Sequence, residues 1–184
     1  MIKNNIILFT AFLCFISPAY ATYDFIQNEI AVSKAMYSNQ WYKSITLLSQ
    51  MLINQPQNAV YYESRGYSYA QYCLQTKDIS YCRKALDDCN KSLSLGYKSA
   101  TLYFTRATAY IKLKQLDNGM TDLTQALNYT YGDKNLEAAI YYVRGKLKII
   151  YNDKYDANSG YLDIAKAKKI SPSIVSNFDA QLNF

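Results

Sequence analysis

Histidine is missing altogether from this chain of 184 residues, and proline and glycine are scarce, at 3 and 6. Without histidine there is no Ser–His or Cys–His nucleophile, no imidazole general base and no histidine-bearing zinc site. The isolated glycines form no phosphate-cradling loop. Cys73, Cys82 and Cys89 match no zinc-ligand spacing, so no metal is expected, and no cofactor either. The adjacent Asp87 and Asp88 point different ways around a helix, which argues against a pair of cooperating carboxylates. These absences together point away from an enzyme.

Long apolar runs are also missing, with one exception at the start. After Lys3, residues 6–16 are apolar apart from Thr10, Ser17-Pro18 breaks the run, and Ala19-Tyr20-Ala21 offers a small-x-small cleavage site. That order reads as a secretory signal peptide over 1–21, cut after Ala21. The run is shorter than the ~20 residues of a spanning helix, so no stable membrane anchor is expected after cleavage. Cys14 follows the bulky Leu13, which argues against a lipidation site. The expected location is therefore the periplasm or beyond, an oxidising compartment in which a disulfide persists. Three cysteines remain after Ala21, an odd number, so at least one stays unpaired within the chain.

Charge is modest: 20 Lys and Arg against 14 Asp and Glu, net +6, and scattered. The densest basic spot, Lys166/Lys168/Lys169, reads as a solvated helix face, and no nucleic-acid partner is expected. Tyrosine is abundant instead, with 20 copies.

Residues 22–184 read as helical nearly throughout, with Pro56 and Pro172 at segment ends and no alternating run that demands a strand. Three short stretches repeat one pattern: YYESRG (61–66), YFTRAT (103–108) and YYVRGK (141–146). Each holds Tyr-x-x-Arg-Gly/Ala, at Tyr62/Arg65/Gly66, Tyr103/Arg106/Ala107 and Tyr141/Arg144/Gly145. Each is followed by Asp-x3-small: Asp88/Ser92, Asp122/Ala126 and Asp163/Ala167. The unit is thus a helix, a turn and a second helix, repeated along the chain.

The pattern resembles the tetratricopeptide repeat, whose unit is about 34 residues. Residues 100–133 fit without a gap, with Tyr103, Ala107 and Tyr110 on helix A and Gly119, Leu123 and Ala126 on helix B. Residues 59–99 supply Tyr62, Gly66, Tyr69, Ala85, Cys89 and Ser92; residues 138–172 supply Tyr141, Gly145, Ala167 and Pro172. A divergent first unit, 25–58, keeps Trp41, Ser44, Ile45, Leu48 and Pro56 but no helix A signature. The resemblance implies an all-α, right-handed α-solenoid of about four antiparallel helix pairs. Residues 173–184 are expected to cap it, with Ser173 opening a short helix whose Ile174, Val175, Phe178 and Leu182 cover the last unit.

The spacing gives the arginines a structural reading. Arg106 and Asp122 lie 16 apart with the turn at Lys114, so Arg65–Asp88, Arg106–Asp122 and Arg144–Asp163 are expected to pair across their hairpins. The longer separations, 23 and 19, place the extra residues in turns, at 73–82 and 151–154. Cys73 and Cys82 bracket the larger expansion. A disulfide there would close it; the alternative is two small packing residues.

The family's usual role is a scaffold that binds a peptide or protein partner in a concave groove lined by the A helices. Carried onto this chain, the groove is Glu63 and Tyr67, then Phe104, Thr108, Ile111 and Lys112, then Tyr142 and Lys146, with an aromatic stripe Tyr67–Phe104–Tyr142. The alternatives are that neighbouring helices cover the stripe, or that the solenoid is a structural subunit or assembly factor of an envelope or secretion complex, acting through its convex face or ends. The clamp for chaperone tails in some relatives uses Lys and Asn where this chain has Glu63, Tyr67, Phe104 and Thr108, so that partner is not expected.

Overall fold

The computed structural model describes the backbone of residues 18–181 and the side chains of residues 25–176. Nine α-helices follow one another among the described residues: α1 (Pro18–Tyr37), α2 (Trp41–Asn54), α3 (Ala59–Thr76), α4 (Ile79–Ser94), α5 (Ala100–Lys112), α6 (Leu116–Ala126), α7 (Lys134–Ile150), α8 (Ala157–Ile170) and α9 (Pro172–Gln181). They pack as antiparallel pairs, α1/α2, α3/α4, α5/α6 and α7/α8, stacked in chain order, with α9 against α7 and α8. This is an α-solenoid. The apolar residues 6–16 lie outside the described residues, and α1 runs through the cleavage point expected after Ala21. No helix among the described residues is long and apolar enough to cross a membrane.

Local chemistry starts the later helices. Asn58, Ser99 and Asp133 accept hydrogen bonds from the backbone N–H three residues on, and Asp78 and Asp156 likewise cap α4 and α8. These side chains satisfy donors that the first helical turn leaves open. Asn39, Lys77 and Lys114 close the first three hairpins with φ of 55°, 61° and 62°, the left-handed geometry that ends a helix.

Hairpin length obeys the helical period. Arg106 stands six residues before the end of α5, and Asp122 six after the start of α6; Arg144 and Asp163 keep the same offsets in α7 and α8. The extra residues of the last hairpin therefore lie wholly in its loop, 151–156. The α3/α4 hairpin departs from the expected long turn. Lys77 and Asp78 alone form the turn, and α3 extends to 18 residues against 13 in α5. Seven added residues are close to two helical turns, so both helices lengthen and Arg65 still faces Asp88. Three added residues are less than one turn and would rotate the pair apart if split between the helices.

The core runs as a strip between the layers. Val32, Leu48, Met51, Leu52 and Tyr61 fill the first part; Ala70, Cys73, Cys82, Ala85 and Ala109 the middle; Leu123, Ile140, Tyr142, Leu147 and Val175 the last. Helix α1, which lacks the repeat signature, is tied down by Tyr61, whose hydroxyl donates to Glu29 at 3.0 Å. Burial and then that bond push the Tyr61 phenol up to about 12. Backbones approach most closely in the last pair, where a Cβ on Gly145 would sit 2.6 Å from the Gly160 carbonyl oxygen.

The terminal helix differs from expectation at its start. Pro172, not a residue after Ser173, opens α9, which suits proline because the first helical N–H needs no partner. Ser171 precedes it and donates to Asn135 at 3.1 Å. Val175 is buried in the last core cluster. The side chains of Phe178 and Leu182 lie outside the described residues.

Among the described residues one buried hydroxyl has no partner, that of Thr105 on α5. The same register on α7 is Val143, also buried. Thr105→Val removes an unsatisfied hydroxyl at almost constant volume and is expected to stabilise the protein by about 1 kcal/mol. A higher urea midpoint with unchanged slope is the expected readout.

Candidate functional site

Helix α3 packs against α5 and α5 against α7, whereas successive B helices (α2, α4, α6 and α8) make no comparable contact. The A helices therefore form the tighter, inner layer of the curve. Its supports are the three arginines. Arg65 donates through Nε and Nη2 to both Asp88 oxygens at 2.7 and 2.8 Å, Arg106 to both oxygens of Asp122 at 2.7 and 2.8 Å, and Arg144 to both oxygens of Asp163 at 2.8 and 2.6 Å. These forked pairs bridge helix A to helix B within one unit.

The third nitrogen does something the motif alone does not show. Arg65 Nη1 donates to Ser49 on α2 at 3.1 Å, and Arg106 Nη1 to Asn90 on α4 at 2.8 Å. Each partner lies 16 residues upstream, on the preceding unit's B helix, so one side chain ties three helices and two units. That recurring separation is readable in the sequence. Tyrosines flank each guanidinium: Tyr62 and Tyr69 at 5.6 and 5.9 Å for Arg65, Tyr103 and Tyr110 at 5.7 and 5.8 Å for Arg106. Four residues after Arg144 the tyrosine gives way to Lys148, whose Nζ donates to Asp163 at 2.9 Å.

This exchange changes the electrostatics. Burial holds Asp88 above the ordinary carboxylate range even though Arg65 grips both its oxygens. Burial also opposes ionisation of Asp163, but the bonds from Arg144 and Lys148 overcome it and hold its pKa below the ordinary value. The bonds to Asp88 and Asp122 raise Arg65 and Arg106.

Cys73 and Cys82 are joined by a disulfide with Cα atoms 5.5 Å apart, linking the last turn of α3 to the first turn of α4. Closing so short a loop contributes roughly 2–3 kcal/mol on chain-entropy grounds. Cys89 is a free, buried thiol, pushed well above its ordinary pKa by desolvation. That environment makes it inert. Among the described residues no cluster of Cys, Asp or Glu is arranged to hold a metal ion.

The inner face is less continuous than the sequence implies. Tyr142 is only 1% exposed and belongs to the last core cluster, so it is not a surface contact. Phe104 packs partly onto that same cluster, and Ile111 is buried beside it. Tyr142 shares the register of Glu63 and Phe104, but on α7 that register lies in the core. Glu63 is also largely buried and accepts the Ser99 hydroxyl. Tyr67 is half-buried and meets Trp41 edge-on at 5.8 Å. Thr108, Lys112 and Lys146 are half-buried, with the Lys146 ammonium 5.9 Å from the Tyr142 ring. The accessible inner surface is therefore Tyr67, part of Phe104, Thr108, Lys112 and Lys146, apolar toward α3 and cationic toward α7.

Two tests follow from the arginine bridges. Asp122 is 3% exposed in its side chain and Arg106 18%; Arg106→Ala or Asp122→Ala alone strands a charge. A double-mutant cycle should give a coupling of about 2–3 kcal/mol, and strictly additive losses would show that the pair contributes nothing jointly. Because Asp163 is depressed in the folded state, its contribution is present above the unfolded value and lost as pH falls through the lower folded value. A carboxyl NMR titration should place Asp163 below Asp88, and Lys148→Tyr should raise it toward Asp88.

Several solved structures share the architecture. TTC0263, a thermophilic tetratricopeptide repeat protein of Thermus thermophilus, superposes with a TM-score of 0.63 at 16% identity, covering 83% of this chain and 78% of that one. MamA gives 0.59 at 16% identity, over 81% of this chain and 83% of its own. A double mutant of MamA RS-1 gives 0.60 at 14%, over 84% and 81%. No protein-family model matches the sequence, and no curated protein matches it. The likeness is one of fold, and that fold is the tetratricopeptide repeat solenoid.

Proposed function

We propose that this protein is an exported, non-enzymatic scaffold that binds a peptide or partner protein along the inner face of its A helices. The observation that carries the reading is that face: half-buried Tyr67 and Phe104 beside Thr108, Lys112 and Lys146, on helices locked in place by the arginine bridges. Rigid tyrosine and phenylalanine rings bury area at little cost in rotamer entropy, and the two lysines favour a ligand with negative charge near α7. Export rests on the leader at 1–21, and the Cys73–Cys82 disulfide accords with an oxidising compartment.

A second reading, a subunit of a larger envelope assembly, draws on the outer side of α1. Ile26 and Ile30, one turn apart, are 47% and 54% exposed, where a terminal repeat ordinarily presents polar residues.

A photo-crosslinking amino acid placed at Thr108 on the inner face, or at Gln125 on the exposed side of α6, separates the readings in the producing cell. Crosslinks to a partner from position 108 and not from 125 are expected. Crosslinks from 125 alone, or from neither, would put recognition elsewhere and favour the assembly subunit.

A further inference from the structure

The B helices α4 and α6 serve as internal controls for α8, which departs from both. Aligned on Asp163, the outward positions carrying Leu162, Ala165, Lys166 and Lys169 are occupied by Thr121, Thr124 and Gln125 of α6 with Asn128 of the 3-10 turn after it, and in α4 by Asp87, Asn90, Lys91 and Ser94. Polar residues mostly without charge thus give way, in the last unit, to an aliphatic and basic stripe at spacing i, i+3, i+4 and i+7, one continuous helix face. Leu162 is 72% exposed, and Lys169 is exposed with no partner among the described residues.

The ground beneath this stripe also differs. In the third unit Tyr129 stacks on Tyr103 with centroids 5.4 Å apart and fills the space between helices A and B. The equivalent of Tyr129 is Ile170, which has no ring to stack on Tyr141. The Lys166 ammonium takes the ring instead, 4.2 Å from its centroid. An open cleft of about 740 Å³ results, floored by Ala165 and Ile170 and rimmed by Lys134, Lys166 and Lys169, with Glu137 the carboxylate in its lining. Glu137 is already bonded to Lys134 at 2.8 Å. Cations surround an apolar floor, with no second acid among the lining residues to balance them.

We infer that the cleft between α7 and α8 is a second docking surface, taking an acidic amphipathic peptide segment of a protein partner. A carboxylate between Lys166 and Lys169 and an apolar side chain on Ala165 and Ile170 match its chemistry, and Leu162 extends the apolar contact along α8. The concavity favours a protruding side chain over a flat lipid surface, which would meet only the lysine tips. This surface lies apart from the inner face and does not depend on it.

The test is fluorescence anisotropy of the full chain after leader removal with a fluorescein-labelled peptide in which Glu and Leu recur at helical spacing. The expected result is saturable binding that weakens at least about tenfold in Lys169→Glu, since reversing a cation at a charge-complementary contact adds repulsion. Leu162→Ser should weaken it as well. Both side chains are exposed on the helix surface, so circular dichroism should be unchanged in each. A photoreactive version of the peptide should crosslink to α7 and α8. Equal affinity in Lys169→Glu, equal affinity for the peptide with Lys in place of Glu, crosslinks to α3 or α5, or binding to phosphatidylglycerol vesicles with none to the peptide would each overturn the assignment.

Discussion

A guanidinium with both oxygens of a buried aspartate on its fork is the interaction around which each of the last three helix pairs is arranged, and two tyrosines hold it in the α3/α4 and α5/α6 pairs. Burying a lone charge in this interior would cost several kcal/mol, and only the full set of bonds compensates for it. Arg65 and Arg106 place every kind of their donor nitrogen: two on the partner aspartate, one on the preceding B helix. The guanidinium is planar and forked, so it fixes direction as well as distance, which a lysine ammonium does not. This explains why the hairpins vary in length only in ways that keep Arg and Asp face to face. The seven-residue expansion enters as helix, and the three-residue one enters as loop.

The extended α3/α4 tip illustrates the consequence. Lengthened helices carry their ends beyond the neighbouring pair, where less of the solenoid covers them. The chain closes that end covalently through Cys73–Cys82 and surrounds it with rings: Tyr72 lies 4.7 Å from Tyr81 and 5.8 Å from Tyr42. Lys84 sits over Tyr69 and Tyr81. Covalent closure acts mainly on the unfolded chain and the ring cluster on the folded one, so the two contributions are complementary.

Much of the architecture is legible because it recurs. Tyr-x-x-Arg and Asp-x3-small appear three times, and a packing problem solved three times leaves its spacing in the sequence. The turn at Lys114 and the loop at 151–154 follow from arithmetic on Arg and Asp alone. The turn at 73–82 is far shorter than its residues suggest, because Gln75, Thr76, Lys77 and Asp78 look like a loop although only Lys77 and Asp78 leave the helix. Composition marks a helix end but cannot count how many polar residues the last turn retains. Tyr142 departs from its expected place on the groove for a different reason. It shares its register with Glu63 and Phe104, yet how far each copy of that register is buried is a tertiary property, and alignment of repeats carries no information about it.

Repetition also locates function by contrast. Where the last three units agree, at the arginine, the aspartate and the small contact residues, the side chains hold helices together and are committed to doing so. What a partner can read is confined to registers where the units disagree. On the inner face one such register carries Tyr67, Thr108 and Lys146, a progression from aromatic through neutral to cationic along the stack. On the outer face the disagreement concentrates in the last unit, where Lys148 replaces a flanking tyrosine, Ile170 replaces a stacking one and Lys166 covers the exposed ring. Lys148 is absorbed by Asp163 and stabilises the bridge. Lys166 and Lys169 have no such carboxylate among the described residues, so in the last unit positive charge stands beside the apolar floor of the cleft and is available to a partner there.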